Sequence, residues 1–417
     1  MADVIPFRGV LYNMPRFSRK SGTDLVAPPY DVITPEYRRE LYGKSPYNIV
    51  RIDFGEDEPG DNEEANKYTR ARGFLDGWLA EGAMIRSQKP CFYSYEISYK
   101  IEGVEKKLRG FLGLVKLEEL GKGNIHPHEC THSSPKRDRL DLMRICEANV
   151  SPIFSLYSGR GTALPEVLKS ADATEPYMEA VDRDGWVHRL WEITDDQMIG
   201  VLQRGLSDRA IFIADGHHRY ETALEYQRER QQADRSLSSM PYDYVMMFLA
   251  DMADEGLTIL PTHRLVEEVP PGLLDALSIY FDVEKVTGFD VTSTLAGMKQ
   301  VMGLYLGDAD GWYLLRYKNV SLPELPAALR DLDVSVLHEL VFGRVLKSVK
   351  VMYEMDVVRC LEMVKTKAYG AAFFLNPTEV AEVERVALAS LRMPPKSTYF
   401  YPKLLTGLVL NVFHTTI

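Results

Sequence analysis

Apolar positions along this chain switch several times between helical and strand spacing. Across 62–81, Tyr68, Phe74, Leu75, Trp78 and Leu79 recur on one face of a 3.6-residue period, which predicts a helix. The stretches 91–101 (CFYSYEISYKI) and 106–119 (KKLRGFLGLVKLEE) alternate apolar and polar residues about Glu102-Gly103, a hairpin signal. Residues 121–136 read as a polar, His-rich loop, and RDRLDLMRICEAN after it reads as a helix. SPIFSLYS, WVHRLWEIT, the run 210–214, YDYVMMFLADM and LTILPTH read as strands, with a helix running from the 210–214 strand to about Gln232. Beyond Val266 helices are expected at 272–281, 291–301, 325–346 and 354–367, and strands at 311–317, in AAFFL and in TGLVLNVF.

The sum is a mixed α+β chain. Its texture divides it into an N-terminal α/β region (1–120), a central region (121–265) and a C-terminal α/β region (266–417). A length of 417 residues fits two or three domains.

Composition narrows the function. The net charge of −11 argues against a general nucleic-acid binder, which needs a basic face. No apolar run reaches the roughly 18 residues of a membrane helix. The first residues lack the basic-then-apolar order of a secretory signal. Four scattered cysteines form no CxxC pair and no disulfide framework. A cytoplasmic enzyme is the expectation.

The segment Ala210 to Leu224 carries the most chemistry. A buried strand delivers the chain into Asp215-Gly216-His217-His218-Arg219, and a helix begins at once. Unpaired N–H groups and the positive end of the helix dipole favour an anion there. Gly216 permits a positive φ or a close approach. Arg219 offers a charged fork suited to phosphate, and His217 and His218 can donate to phosphate oxygens or carry a proton. The plainer possibility is that Asp215 caps the helix and the histidines pair with neighbours.

Two further clusters stand out. His126, His128, Glu129, Cys130, Thr131 and His132 precede Lys136, Asp138 and Arg139. They could be metal ligands, though no standard zinc spacing is present. They could instead form a loop with Glu129 or a histidine as general base and Lys136 and Arg139 holding phosphate. A solvated structural loop is the third possibility. Near the C-terminus, Lys396, Tyr399, Lys403 and Thr406 lie in KSTYFYPKLLTG, able to grip phosphate or carboxylate and to stack on a base. The stiff Pro28-Pro29-Tyr30 turn could hold Asp31 towards the site or be simply a turn. His263 and Arg264 emerge at a strand end, a frequent ligand position, with a satisfied structural histidine as the alternative. No P-loop, GxGxxG, GxSxG or HExxH pattern occurs.

DGHHR after an apolar strand resembles the phosphate-binding turn of the ParB/sulfiredoxin-like superfamily, which includes nucleotide switches, sulfiredoxins and free-serine kinases. More broadly, APPYDVI, HPHE-x-T-x-x-x-PK-x-DR, NVSPIFSLYS, ADGHHRYETA, LPTHR and KSTYFYPK-x-x-TGLV together resemble the family known as domain of unknown function 1015. The resemblance implies a mixed-sheet ParB/sulfiredoxin-like core with further α/β segments packed on it.

From residues and resemblance together, the leading expectation is a nucleotide-dependent phosphotransferase acting on a small hydroxyl metabolite such as serine or phosphoserine. It would use ATP or ADP, or CTP, with Mg²⁺ bridging the phosphates. Glu129, His128, Asp215, His217 and Asp31 are the candidate catalytic residues, Asp215 doubling as a metal ligand. Gly216, His218, Arg219, Lys136, Arg139, Lys403 and Thr406 are the candidates for holding phosphate or nucleotide. His126, His263, Arg264, Lys396 and Tyr399 are the candidates for substrate. A metal-dependent phosphatase or hydrolase is the alternative, and a ParB-like nucleotide switch a third.

Overall fold

The structure is a computed structural model that describes residues 3–18, 21–129, 133–171, 173–234, 240–320, 322–347 and 349–413. Two compact units emerge. One comprises 1–127, 131–258 and 402–417, the other 128–130 and 259–401.

The first unit is organised by a nine-stranded mixed sheet. Along the sheet the order is Ile125–His126, Ile211–Asp215, Ile153–Tyr157, Tyr244–Asp251, Val104–Lys116, Phe92–Ile101, Val187–Ile193 and Met178–Val181, with Val4–Ile5 also pairing onto Val104–Lys116. The expected hairpin forms, with Tyr93 opposite Leu112 and Ile101 opposite Val104. Its turn holds Glu102 at φ 49° and Gly103 at φ 82°, the left-handed pair that matches strand twist. The strand Ile211–Asp215 runs parallel to Ile125–His126 and antiparallel to Ile153–Tyr157. Phe92, Phe111, Val115, Ile153, Ile211, Ile213, Val245 and Leu249 share one apolar core beneath helices Ser133–Cys146, Asp196–Leu206 and His217–Asp234.

The second unit holds a six-stranded sheet in the order Phe281–Val286, Trp312–Tyr317, Val301–Tyr305, Ala371–Phe374, His263–Val266 and Val351–Glu354. Strand alternation feeds two cores. Met302 and Leu304 enter one, while Val301 and Tyr305 enter the other.

Several elements differ from expectation for identifiable reasons. The first long helix spans Lys67–Ala80, because the Asn66 side chain accepts from the Tyr68 and Thr69 N–H groups and starts it there. The helix Ser133–Cys146 begins inside the expected loop, since a proline is tolerated in a first turn. LTILPTH is not one strand: pairing stops at Leu260 and resumes at His263, on either side of Pro261, which has no N–H to donate. The helix expected at 291–301 ends at Leu295, where Gly297 turns the chain at φ 69° into the strand Val301–Tyr305. The one at 325–346 is broken into Ala327–Arg330, Asp333–Val336 and a wide π-type segment Leu337–Leu346, the extended Leu332 dividing the first two. Residues 354–367 give a strand end and a helix, Val357–Lys365, capped by Asp356. In TGLVLNVF only Asn411–Val412 forms a strand, paired with Ala148–Asn149. Local breaks such as Pro261, Gly297 and Leu332, which periodicity does not register, account for these differences.

Candidate functional site

In the first unit the DGHHR segment sits as its sequence suggests, at the junction of a buried strand and a helix. Asp215 ends the strand Ile211–Asp215, and the helix His217–Asp234 follows after one residue. That residue, Gly216, has φ 91°, and a Cβ there would lie 2.8 Å from Arg219 Nε. Its N–H donates to Asp215 Oδ1 at 2.8 Å. The first helical turn carries no acidic side chain but His217, His218 and Arg219. Helix dipoles favour the opposite arrangement, so this end of the helix is left attractive to an anion. His217 is buried and His218 half-buried.

Other segments of the same unit close on this turn. Lys403 Nζ lies 3.1 Å from Asp215 Oδ2, and Arg219 Nη2 lies 3.8 Å from the same oxygen. Arg219 also donates to the Pro152 carbonyl, which anchors it beside the turn. Thr406 exchanges both backbone hydrogen bonds with Ala27, at 2.8 and 3.2 Å, tying the Lys403 segment to the Pro28-Pro29-Tyr30-Asp31 turn. Burial pushes the Tyr30 hydroxyl up to about 12; the positive charges of Arg139 and Arg219 oppose this, and the negative charges of Asp31 and Asp215 add to it. Asp31 itself is exposed.

Arg139 is occupied differently from a free phosphate ligand. It is buried, donates to Asp53 Oδ1 at 3.0 Å and to Asp138 Oδ2 at 2.9 Å, and lies 4.2 Å from the Tyr30 ring centroid. Lys136 faces Glu221 at 3.7 Å and Glu225 at 3.3 Å. His126 stacks on Phe212 in the neighbouring strand, ring centroids 5.5 Å apart.

Asp53 and Tyr30 belong to this cluster although sequence reasoning missed both. Asp53 Oδ2 is buried without a hydrogen-bond partner among the described residues. It lines a cavity of about 30 Å³ with Arg139, Asn149, Ser151, Arg219 and Thr222, enough for about one water molecule. Burial raises its pKa, opposed by Arg139 and Arg219. The signal was a lone carboxylate in the apolar run NIVRIDF.

The remaining candidates lie in the second unit. His128 is fully buried, with Nε2 2.8 Å from Thr398 Oγ1. Glu129 Oε1 accepts the Lys396 N–H at 2.6 Å, and Arg264 Nη2 donates to the Lys396 carbonyl at 2.9 Å. Burial lowers the Arg264 pKa to about 10. His263 accepts the Leu375 N–H at Nδ1, and burial pushes it down to about 4. Tyr399 and Tyr401 lie with ring centroids 6.5 Å apart. Cys130, Thr131 and His132 lie outside the described residues. Among the described residues no three His, Cys, Asp or Glu side chains gather as a metal cage. A Mg²⁺ ion held mainly by nucleotide phosphates needs no such cage, and Asp215 is a carboxylate at the turn, its Oδ2 facing Lys403 and Arg219.

The profile of a family described as protein of unknown function (DUF1015) matches residues 4–335. No curated protein matches the sequence. Some solved structures are distantly similar. A free serine kinase in complex with AMP has 11% identity and a TM-score of 0.36, over 70% of this chain and 98% of that one. SbnI with a C-terminal truncation, from Staphylococcus aureus, has 12% identity and a TM-score of 0.39, over 71% and 85%. A conserved hypothetical protein from Pyrococcus furiosus has 12% identity and a TM-score of 0.35, over 68% and 92%.

Proposed function

The chain belongs to the DUF1015 family, and on that premise we propose that it is a nucleotide-dependent phosphotransferase acting on a small hydroxyl metabolite such as serine. The observation that carries this reading is the turn Asp215–Arg219. There a buried strand ends, a glycine takes a positive φ, and a helix opens with basic residues in place of the usual acidic ones. Lys403 and Arg219 add fixed positive charge.

In this reading the backbone from Gly216 onward, with His217, His218, Arg219 and Lys403, holds the phosphates of ATP or ADP. Thr406 supplies a further hydroxyl near Lys403. Bound Mg²⁺ supplies charge neutralisation at the phosphates, with Asp215 its proposed protein ligand. Of the two carboxylates considered for taking the proton, Asp31 shares the unit and the electrostatic field of the turn. Glu129 belongs to the other unit, where it accepts a backbone N–H. The acceptor oxygen forms its bond to the terminal phosphorus as its proton passes to Asp31, the bond from that phosphorus to the bridging oxygen breaks, and the nucleotide leaves one phosphate shorter, as ADP from ATP or AMP from ADP.

A transfer assay tests this. Labelled ATP, ADP or CTP with Mg²⁺ is offered to a panel of hydroxyl metabolites beginning with serine. Label appearing on an acceptor supports the proposal; label retained on the nucleotide or released only as free phosphate contradicts it.

A further inference from the structure

Close to Lys403, the nine-stranded sheet contains a chain of buried polar side chains that phosphate binding does not use. Tyr95 and His188 sit on the adjacent strands Phe92–Ile101 and Val187–Ile193, where Tyr95 pairs with Leu190. His188, two residues before Leu190, is therefore the diagonal neighbour of Tyr95 on the same face. The Tyr95 hydroxyl lies 2.7 Å from His188 Nδ1, and both side chains are wholly buried. His188 Nε2 lies 3.1 Å from Asp182 Oδ2. Asp182 is itself fixed, its Oδ1 accepting the Asp184 and Trp186 N–H groups at 2.9 Å each. At the other end the Leu405 N–H donates to the Tyr95 hydroxyl at 3.2 Å.

Proton positions follow from what each group can do. The Leu405 N–H can only donate, so the Tyr95 oxygen accepts it and passes its own proton toward His188 Nδ1. The imidazole then keeps its proton on Nε2, facing the Asp182 carboxylate. Burial favours this neutral imidazole, against the pull of Asp182. All the donors point from Leu405 toward Asp182, and aligned hydrogen bonds reinforce one another. Apolar side chains would fill this core without the desolvation cost of the buried Tyr95 hydroxyl and His188 imidazole. What the polar chain adds is a fixed grip on one backbone N–H. Leu405 stands two residues after Lys403 and one before Thr406, whose backbone is tied to Ala27.

We propose that Asp182, His188 and Tyr95 are positioning residues that lock the backbone at Leu405 and thereby hold Lys403 against Asp215. The proposal rests on the phosphate-binding reading of the turn. Lysine has a long, flexible stem, so its charge is placed only as well as its backbone is.

The test uses the full chain with Tyr95→Phe, His188→Leu and His188→Gln, each alone and combined with Lys403→Met. Two quantities are read: the Mg·ADP dissociation constant, and amide hydrogen exchange at 403–407. Tyr95→Phe and His188→Leu are expected to weaken ADP binding roughly three- to tenfold. His188→Gln, which can still donate and accept, recovers most of that loss. None of the three changes affinity further once Lys403 is gone, and exchange quickens at 403–407 ahead of the rest of the sheet. Equal losses with and without Lys403, or exchange rising evenly through the sheet, would reduce the triad to a structural element. If the unaltered protein binds no ADP, the phosphate reading fails, and local or uniform exchange still decides whether the triad holds the segment.

Discussion

Lys403 Nζ and Asp215 Oδ2 lie 3.1 Å apart across 188 residues of sequence. The contact joins the segment that begins at Pro402-Lys403 to the DGHHR turn and leaves a lysine poised where a phosphate would compete for it. Lys403→Met removes a charge-assisted hydrogen bond of about 1.5–3 kcal/mol. The expected result is nucleotide affinity lowered about ten- to a hundredfold by calorimetry. An unchanged dissociation constant would remove Lys403 from the site.

Gly216 is required by geometry as well as by the ligand. Its φ of 91° strains any L side chain, and a Cβ would crowd Arg219 Nε at 2.8 Å. Gly216→Ala should cost about 1–3 kcal/mol, read as a lowered urea midpoint. A midpoint equal to that of the unaltered protein would show that the turn accommodates a side chain freely.

Much of this arrangement was legible beforehand, and what was not has physical causes. The strand–glycine–helix signature of 211–219 depends only on local chemistry, so sequence reveals it. The Glu102-Gly103 hairpin is equally local. Arg139 looked like a phosphate ligand, because nothing local shows that Asp53, 86 residues away, holds its guanidinium. Tyr30 was passed over in favour of Asp31, since its role depends on Arg139 stacking on its ring. The strands at 281–286 and 301–305 were left unassigned apart from their first residues, which closed the helices expected at 272–281 and 291–301. Their partners, Trp312–Tyr317 for both and Ala371–Phe374 for the second, decide the outcome.

The Asp53–Arg139 pair gives a stability prediction. Both side chains are buried, at 2% and 6% exposure. Asp53→Ala leaves a buried guanidinium with one carboxylate fewer, and breaking such a pair costs about 3–5 kcal/mol. Chemical denaturation should show a loss of that order; a change below about 1 kcal/mol, the scale of exposed pairs, would contradict the burial argument.

His263 predicts a pH dependence. Its folded-state pKa is pushed down to about 4, chiefly by burial and then by Arg264, whereas an unperturbed imidazole titrates near ~6.5. As pH falls from the higher value to the lower, the unfolded chain takes up a proton that the folded chain refuses. Stability present above the unfolded pKa is therefore lost on acidification, by up to roughly 3 kcal/mol. His263→Gln keeps an acceptor for the Leu375 N–H and removes the titration. Urea curves from about pH 7 to pH 4.5 should fall less steeply for the variant; parallel falls would show that His263 is not the group responsible.

The most direct measurement is a calorimetric titration of Mg·ADP into the unaltered chain and into Arg219→Ala, with circular dichroism confirming that both are folded. A phosphate cradle at Asp215–Arg219 predicts saturable binding to the first and affinity at least about tenfold weaker for the second. Equal affinity in the two proteins, or no binding to either, would contradict it.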